Sequence, residues 1–306
     1  MNVIKAILLK LASAFLFAAM VVLVRYLGDR YPVGQVVFYR SAFAIVPVVI
    51  IYAWRGELEA AIRIGQPFGH LGRGITAVGA MFCNFSALAR LPVVDATAIS
   101  FVSPLFTVAL AALVLKERVR IYRWSAVIVG FSGVLVMLAP YLDVGRSTAS
   151  EAGAIGALFG LVGAFFAAGS TIQTRALTKS ETTSSIVFYF SLICALVGLA
   201  TWPLGWIAPT WPELAALIVI GICGGLAHIL LTESYRLAPA SLIAPFDYTS
   251  MLWALILGYM VFGEVPRPLV FVGAAIIAGA GLFVIWRERQ LGLKRARAAE
   301  GPPTGT

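Results

Sequence analysis

Charge is what this sequence has least of: 12% of its 306 residues are Asp, Glu, Lys or Arg, against 60% hydrophobic. A water-facing surface cannot be built from that balance, so the two soluble domains that the length would allow are excluded. Histidine is scarce, with only His70 and His228, and neither has a second histidine at metal-ligand spacing. Cysteine occurs three times, at Cys83, Cys194 and Cys223, each inside an apolar run and without a CxxC pair. That excludes a disulfide framework and a zinc site and leaves small buried thiols. No Gly-x-x-x-x-Gly-Lys-Ser/Thr loop, Gly-x-Ser-x-Gly elbow or Thr-Val-Gly-Tyr-Gly filter occurs. Transport driven by the chain's own nucleotide hydrolysis, an elbow-type hydrolase and the common potassium pore are thereby removed. No cofactor and no metal are expected.

What is present is a succession of apolar runs. A bilayer core needs about 20 mostly apolar residues per helix, and ten runs of that size stand between charges or turn residues. Their expected limits are Ile7–Leu27, Val33–Ala53, Gly72–Ala89, Ala96–Leu115, Tyr122–Tyr141, Ala152–Ala176, Thr183–Trp202, Leu214–Leu231, Leu242–Phe262 and Leu269–Trp286. The Ala12-Ser13-Ala14 triplet imitates a signal-cleavage site, but it precedes most of the first run when cleavage should follow it, so an uncleaved first helix is expected. The fold class is therefore an all-α integral membrane protein of ten transmembrane helices.

The net charge of +9 reads as topology. No stretch interleaves bases with aromatics, so nucleic acid is not an expected partner, and membrane lipid is. With the N-terminus in the cytoplasm, seventeen Lys and Arg fall on the inside, among them Lys5, Lys10, Arg73, Arg120 and five beyond Trp286. Only Arg25, Arg30, Arg90, Arg146 and Arg267 fall outside, and Arg40 lies within a span. The excess of bases on one side places both termini in the cytoplasm, in a multi-pass protein of the cytoplasmic membrane. Residues 291–306, basic and ending Gly-Pro-Pro-Thr-Gly-Thr, are expected to form a disordered tail against anionic lipid.

The chain also repeats itself. A shift of 150 residues lays Val37-Phe38-Tyr39-Arg40-Ser41 on Val187-Phe188-Tyr189-Phe190-Ser191, and Arg25 on Arg175. A shift of 147 lays Pro92 on Pro239, Ser103 on Ser250 and Glu117 on Glu264. The expected units are residues 1–145 and 146–290, five spans each. An odd number of spans forces the second unit to enter the membrane upside down, which is inverted-repeat architecture with a site near the midplane.

The same residues carry a resemblance. Val21–Arg40 with its Phe38-Tyr39-Arg40-Ser41 ending, Arg73-Gly74, Leu91-Pro92 through Asp95-Ala96-Thr97 and Ser103-Pro104 to Glu117, and Trp124 to Gly133 form the first-half pattern. Ala244-Pro245-Phe246-Asp247-Tyr248 and Phe262-Gly263-Glu264 form the second. Together they resemble the ten-helix EamA branch of the drug/metabolite transporter superfamily, over nearly all of Ile7 to Trp286. The resemblance implies a secondary carrier of a small organic solute, an amino acid or related metabolite or drug, working by alternating access. Exporters of aromatic amino acids are one plausible neighbour, and export is expected ahead of uptake. A membrane-embedded enzyme acting on lipid is the rival from another class. Neither partner subunits nor an oligomeric state are written in the sequence, and a monomer is compatible with it.

Polar residues inside the runs locate the candidate site. A charge at the bilayer centre costs roughly 2.5–3.5 kcal/mol on insertion scales and needs a partner, water or the interface. Arg40 has two readings: a donor to an anionic or carboxylate-bearing solute, and a structural bridge to Asp95. Asp247 is either a protonatable coupling group or an acceptor for backbone freed by Pro245. His228 shares a helical stripe with Gly221, Gly225 and Thr232, and reads as a cavity-lining or a satisfied interior residue. Asn84, Ser100, Gln173, Tyr189, Tyr248 and Trp253 offer hydrogen bonds or ring faces to a solute path. The stripes that carry them are also packing seams, as Gly156-x-x-x-Gly160 and Gly221-x-x-x-Gly225 illustrate. The fifth and tenth runs hold almost no polar side chains beyond Ser125 and Ser132, and are expected to brace the assembly.

Overall fold

The computed structural model describes residues 3–56, 59, 62–114, 121–142, 151–177, 180–237, 246 and 249–299. Among them every regular element is a helix: α1 Val3–Leu27, α2 Val33–Trp54, α3 Pro67–Arg90, α4 Val93–Ser100, α5 Ser103–Val114, α6 Ile121–Leu142, α7 Glu151–Leu177, α8 Thr183–Ala200, α9 Trp211–Leu237, α10 Thr249–Phe262 and α11 Pro268–Ala299. The segments Ile4–Leu27, Val33–Trp54, Glu151–Thr174 and Trp211–Leu231 are each long and apolar enough to cross a membrane by themselves.

Helix starts follow local chemistry. Pro32 and Pro92 immediately precede α2 and α4, and Pro67 opens α3, where its missing N–H costs nothing. Thr182 caps α8 by accepting from the Ser185 amide at 3.2 Å. The limits expected from the apolar runs fall within a few residues of most helices; α9 runs past Leu231 to Leu237, residues 242–245 of the ninth run lie outside the described residues, and two further differences stand out. The fourth run is not continuous: α4 ends at Ser100, Phe101 and Val102 form a turn, and α5 starts at Ser103. Pro104 cannot donate to the Ser100 carbonyl, and the Phe101 and Val102 amides bond three residues back, to Ala98 and Ile99. Apolar continuity conceals that break. The last helix also passes Trp286 and continues to Ala299, through most of the stretch expected to be a disordered tail. Leu, Lys, Arg and Ala, all strong helix formers, fill it after Gly292.

The bundle is woven by close pairs. α3 lies along α7 and α1 along α9; α2 packs on α8 and α9, and α3 on α8. α5 packs on α7, α1 on α10, α4 on α10, and α6 on α11 at the periphery. Small residues permit the closest approaches. A Cβ at Gly225 would stand 2.7 Å from the Ala44 carbonyl oxygen and from Pro47 Cγ, and one at Gly160 would stand 2.8 Å from Ile99 Cγ2. The largest apolar core gathers Leu27, Val37, Leu91, Ile99, Leu217, Ile220 and Ile277. Many large apolar side chains, among them Trp54, Ile128, Leu158 and Met260, point outward, as a lipid-facing surface requires.

Candidate functional site

A cavity of about 490 Å³ lies inside the bundle. Its wall comes from α1 to α4 and from α7 to α10, and no described residue of α6 or α11 contributes.

The cavity is built around charge. Arg40, on α2, is 3% exposed. Gly224 on α9 makes room for it, since a Cβ there would stand 3.2 Å from Arg40 Nε. Arg73, from α3, donates to Ser170 Oγ on α7. Both arginines share the Phe190 ring of α8, with the Arg40 Cζ 5.3 Å and the Arg73 Cζ 4.8 Å from its centroid. Each such contact is worth about 0.5–2 kcal/mol. The two cations still repel. Sharing one ring holds them within about 10 Å, where like unit charges cost roughly 1.5–2 kcal/mol at an effective dielectric of about 20.

Among the described residues no carboxylate pairs with either arginine, and no described lining residue is Asp or Glu. The bridge to Asp95 expected for Arg40 is therefore not made. Asp95 lies buried in the first turn of α4, where a carboxylate faces the positive end of the helix dipole. Among the described residues, Arg40 Nη1 and Arg73 Nε are buried and have no hydrogen-bond acceptor, a costly condition for charged donors.

Of the residues expected to line a path, Arg40, Asn84, Ser100 and His228 meet at this cavity. His228 lies edge-on to Phe17 at 5.0 Å and to Phe190 at 5.6 Å. Ser100 Oγ donates to the Thr97 carbonyl at 2.6 Å, which leaves its oxygen as an acceptor. Three expected residues lie elsewhere. Gln173 packs on α3, its Nε2 lying 3.2 Å from where a Gly72 Cβ would be. The Tyr189 hydroxyl donates to the Ile62 carbonyl at 2.6 Å. Trp253 meets Phe15 edge-on at 5.1 Å, with its indole N–H buried and without an acceptor. Asp247 and Tyr248 lie outside the described residues.

Two charged residues of the cavity were not among the expected site residues: Arg73, and Lys10, which is 2% exposed and lines the same space. Both sit near the edge of an apolar run and count there as topology charges. Their burial depends on neighbouring helices; Arg73 was marked only as part of the Arg73-Gly74 motif, and Lys10 by no pattern.

The two ends of the bundle are tied differently. At one end Arg25 of α1 donates to the Ala89 carbonyl at 2.8 Å and to Glu264 at 3.3 Å, and Glu264 accepts from the Val93 amide at 2.8 Å. Gln35 and Ile207 exchange two bonds of 2.8 and 3.1 Å nearby. At the opposite end Glu181 accepts from the Gly65 and Gln66 amides at 2.7 and 2.5 Å and lies 3.6 Å from His70 Nε2. Arg55 pairs with Glu233 there at 3.1 Å.

Comparison with known proteins follows the same lines. Residues 4–139 and 154–287 match the sequence profile of the EamA-like transporter family. The chain is 32% identical over 272 residues to an S-adenosylmethionine uptake transporter of Rickettsia prowazekii, covering 88% of each. It is 30% identical over 279 residues to a pseudopaline exporter of Pseudomonas aeruginosa, covering 90% of this chain and 93% of the relative. A riboflavin transporter of Rhizobium johnstonii is 29% identical over 260 residues, covering 84% and 82%. One crystal structure superposes at a TM-score of 0.67 with 20% identity, over 94% of this chain and 97% of the other.

Proposed function

The chain belongs to the EamA-like transporter family, and on that premise we propose that it carries a small organic solute across the cytoplasmic membrane by alternating access, between two inverted five-helix repeats. It is a transporter and not an enzyme. The observation that carries the mechanism is the cavity: its walls come from both halves, while α6 and α11 pair with each other away from it.

The helix pairing supports the inverted repeat. Exchanging α1 with α7, α2 with α8, α3 with α9, the α4–α5 pair with α10, and α6 with α11 turns the α3–α7 contact into α9–α1. It also turns α2–α9 into α8–α3 and α5–α7 into α10–α1, and every one of these contacts exists. Pairs α2–α8 and α6–α11 map onto themselves. A site on such an axis opens to either side when one half rocks against the other. Both termini are cytoplasmic on the charge bias of the loops, which puts the Arg25–Glu264 tie on the outer face and the Glu181 tie on the inner.

The relatives' names cover uptake and export alike, so we carry the expectation of export into the flux assay. Purified protein in liposomes loaded with a cytoplasmic metabolite extract is expected to give saturable efflux of a subset of its components. Equal efflux from protein-free liposomes, or rates that never saturate, would exclude a carrier. With single cysteines at Ser100 and Ser250, both on the cavity wall, efflux should change the labelling of both and shift its sidedness. Labelling that stays fixed during demonstrated efflux would point to a fixed pore.

A further inference from the structure

The cavity carries information about the solute's charge. Arg40 Nη1 and Arg73 Nε are buried donors without acceptors, on two helices that converge on one aromatic ring. No described lining residue is acidic. Ser170 takes one donor of Arg73 and leaves that residue's charge uncompensated. A guanidinium excluded from bulk water is best satisfied by an anion accepting two parallel N–H bonds. Beside the pair the wall is apolar, with Phe17, Met20 and Met81 facing the same space.

We propose that the transported solute is an organic acid whose anionic head seats between Arg40 and Arg73 at the rim of Phe190, with its apolar body along Phe17, Met20 and Met81. The assignment rests on the carrier reading and narrows it to a substrate class. A cationic solute would add a further positive charge to a space already lined by Arg40, Arg73 and Lys10. A neutral one would leave both buried donors desolvated and poorly satisfied. Both guanidinium groups lie within cation–π range of the Phe190 ring, which helps hold them in place for the ligand. The head therefore meets a preorganised pair, which lowers the ordering cost of binding.

The test uses three aromatic probes of matched shape and different charge: phenylsuccinate, its diamide, and the corresponding diamine. Thermal unfolding of the full-length protein in detergent is followed against each. Phenylsuccinate is expected to raise the Tm in a saturable way, with no comparable shift from the diamide or diamine. Arg40→Gln and Arg73→Gln should each weaken the apparent affinity about ten-fold or more, the effect of losing a charge-assisted pair. Arg73→Lys, which keeps the charge, should retain part of the binding and guards against a variant that misfolds. Arg63→Gln, at an exposed position, should change nothing. Equal stabilisation by the diamide or diamine, phenylsuccinate binding that survives in the double variant R40Q/R73Q, or no response to phenylsuccinate would each overturn the assignment. Saturable flux of cations with organic acids excluded would also overturn it while leaving the carrier standing. Proteoliposomes that move no metabolite at all would instead remove the carrier reading.

Discussion

At the scale of single residues, position along a helix was legible and direction around it was not. Arg40 announces itself because a charge deep in an apolar run must be accounted for energetically. Arg73 and Lys10 do not, since bases at the edge of a run are the ordinary mark of topology. Asn84 and Gln173 look alike in sequence and both pack in the seam between α3 and α7, yet only Asn84 also reaches the cavity. Each residue turns about 100° around a helix, so which side faces the interior depends on partners that the sequence does not name. Trp253 separates the two classes experimentally. Its indole N–H is buried with no acceptor, and its ring packs on Phe15 away from the cavity wall. Trp253→Phe keeps an edge-on ring and removes an unsatisfied donor, so the expected change in stability is within about 1 kcal/mol and of either sign. Flux should stay within about two-fold of the original rate; a loss of ten-fold or more would mean that the N–H serves the solute.

At the scale of elements, apolar length defines the helices and small residues set how closely they approach. The Gly221-x-x-x-Gly225 pattern was readable as a seam, and in the fold it receives Phe43 and the Ala44–Pro47 stretch of α2. Its partner was not readable, because GxxxG states only that something approaches closely. Gly225→Ala would push a methyl against the Ala44 carbonyl oxygen and Pro47. Neither can yield without moving α2, so a loss of about 1–3 kcal/mol is expected. A denaturation midpoint in mixed micelles is the measurement, with Gly279→Ala as control, because a Cβ there meets nothing within 4 Å. Equal midpoints for the two variants would show that α2 and α9 are not in this contact. The break between α4 and α5 was hidden for a related reason. Pro104 sits in an unbroken apolar run, and only the hydrogen-bond pattern around Phe101 shows where the helix stops.

At the scale of the whole molecule, apolar length made the ten runs readable, the repeat suggested two units, and the ties at the two ends were legible only in part. Arg25 and Glu264 both stood out as charges near helix ends, but 239 residues separate them, and no local pattern joins them. The tie is half-buried and includes the Val93 amide, so losing the carboxylate costs about 1 kcal/mol of the state it closes. Glu264→Gln should raise the population open at that end about five-fold. In a background with the three cysteines replaced by Ala, an impermeant thiol reagent added outside should label Ser100→Cys correspondingly faster. Unchanged labelling would mean that the apolar packing of Leu27 and Leu91, and not the ion pair, holds that end shut.

The contact between Arg40 and Phe190 bears on ancestry. If the two halves are copies of one gene segment, those residues were once the same residue, and they meet across the axis that relates the copies. On that premise position 40 would be a place where the molecule touches itself, as a residue on the dyad of a homodimer does. An ancestor with arginine in both copies would have faced a like-charge contact, so divergence there would have removed a penalty while leaving Arg40 available to an anion. Phe190→Arg re-creates the unfavourable pairing and should sharply lower the yield of monodisperse protein from membranes. The exchanged variant R40F/F190R, with one arginine again on the axis, should recover most of that yield. If it recovers none, the two positions are not interchangeable across the dyad, and common descent of the halves would need other support.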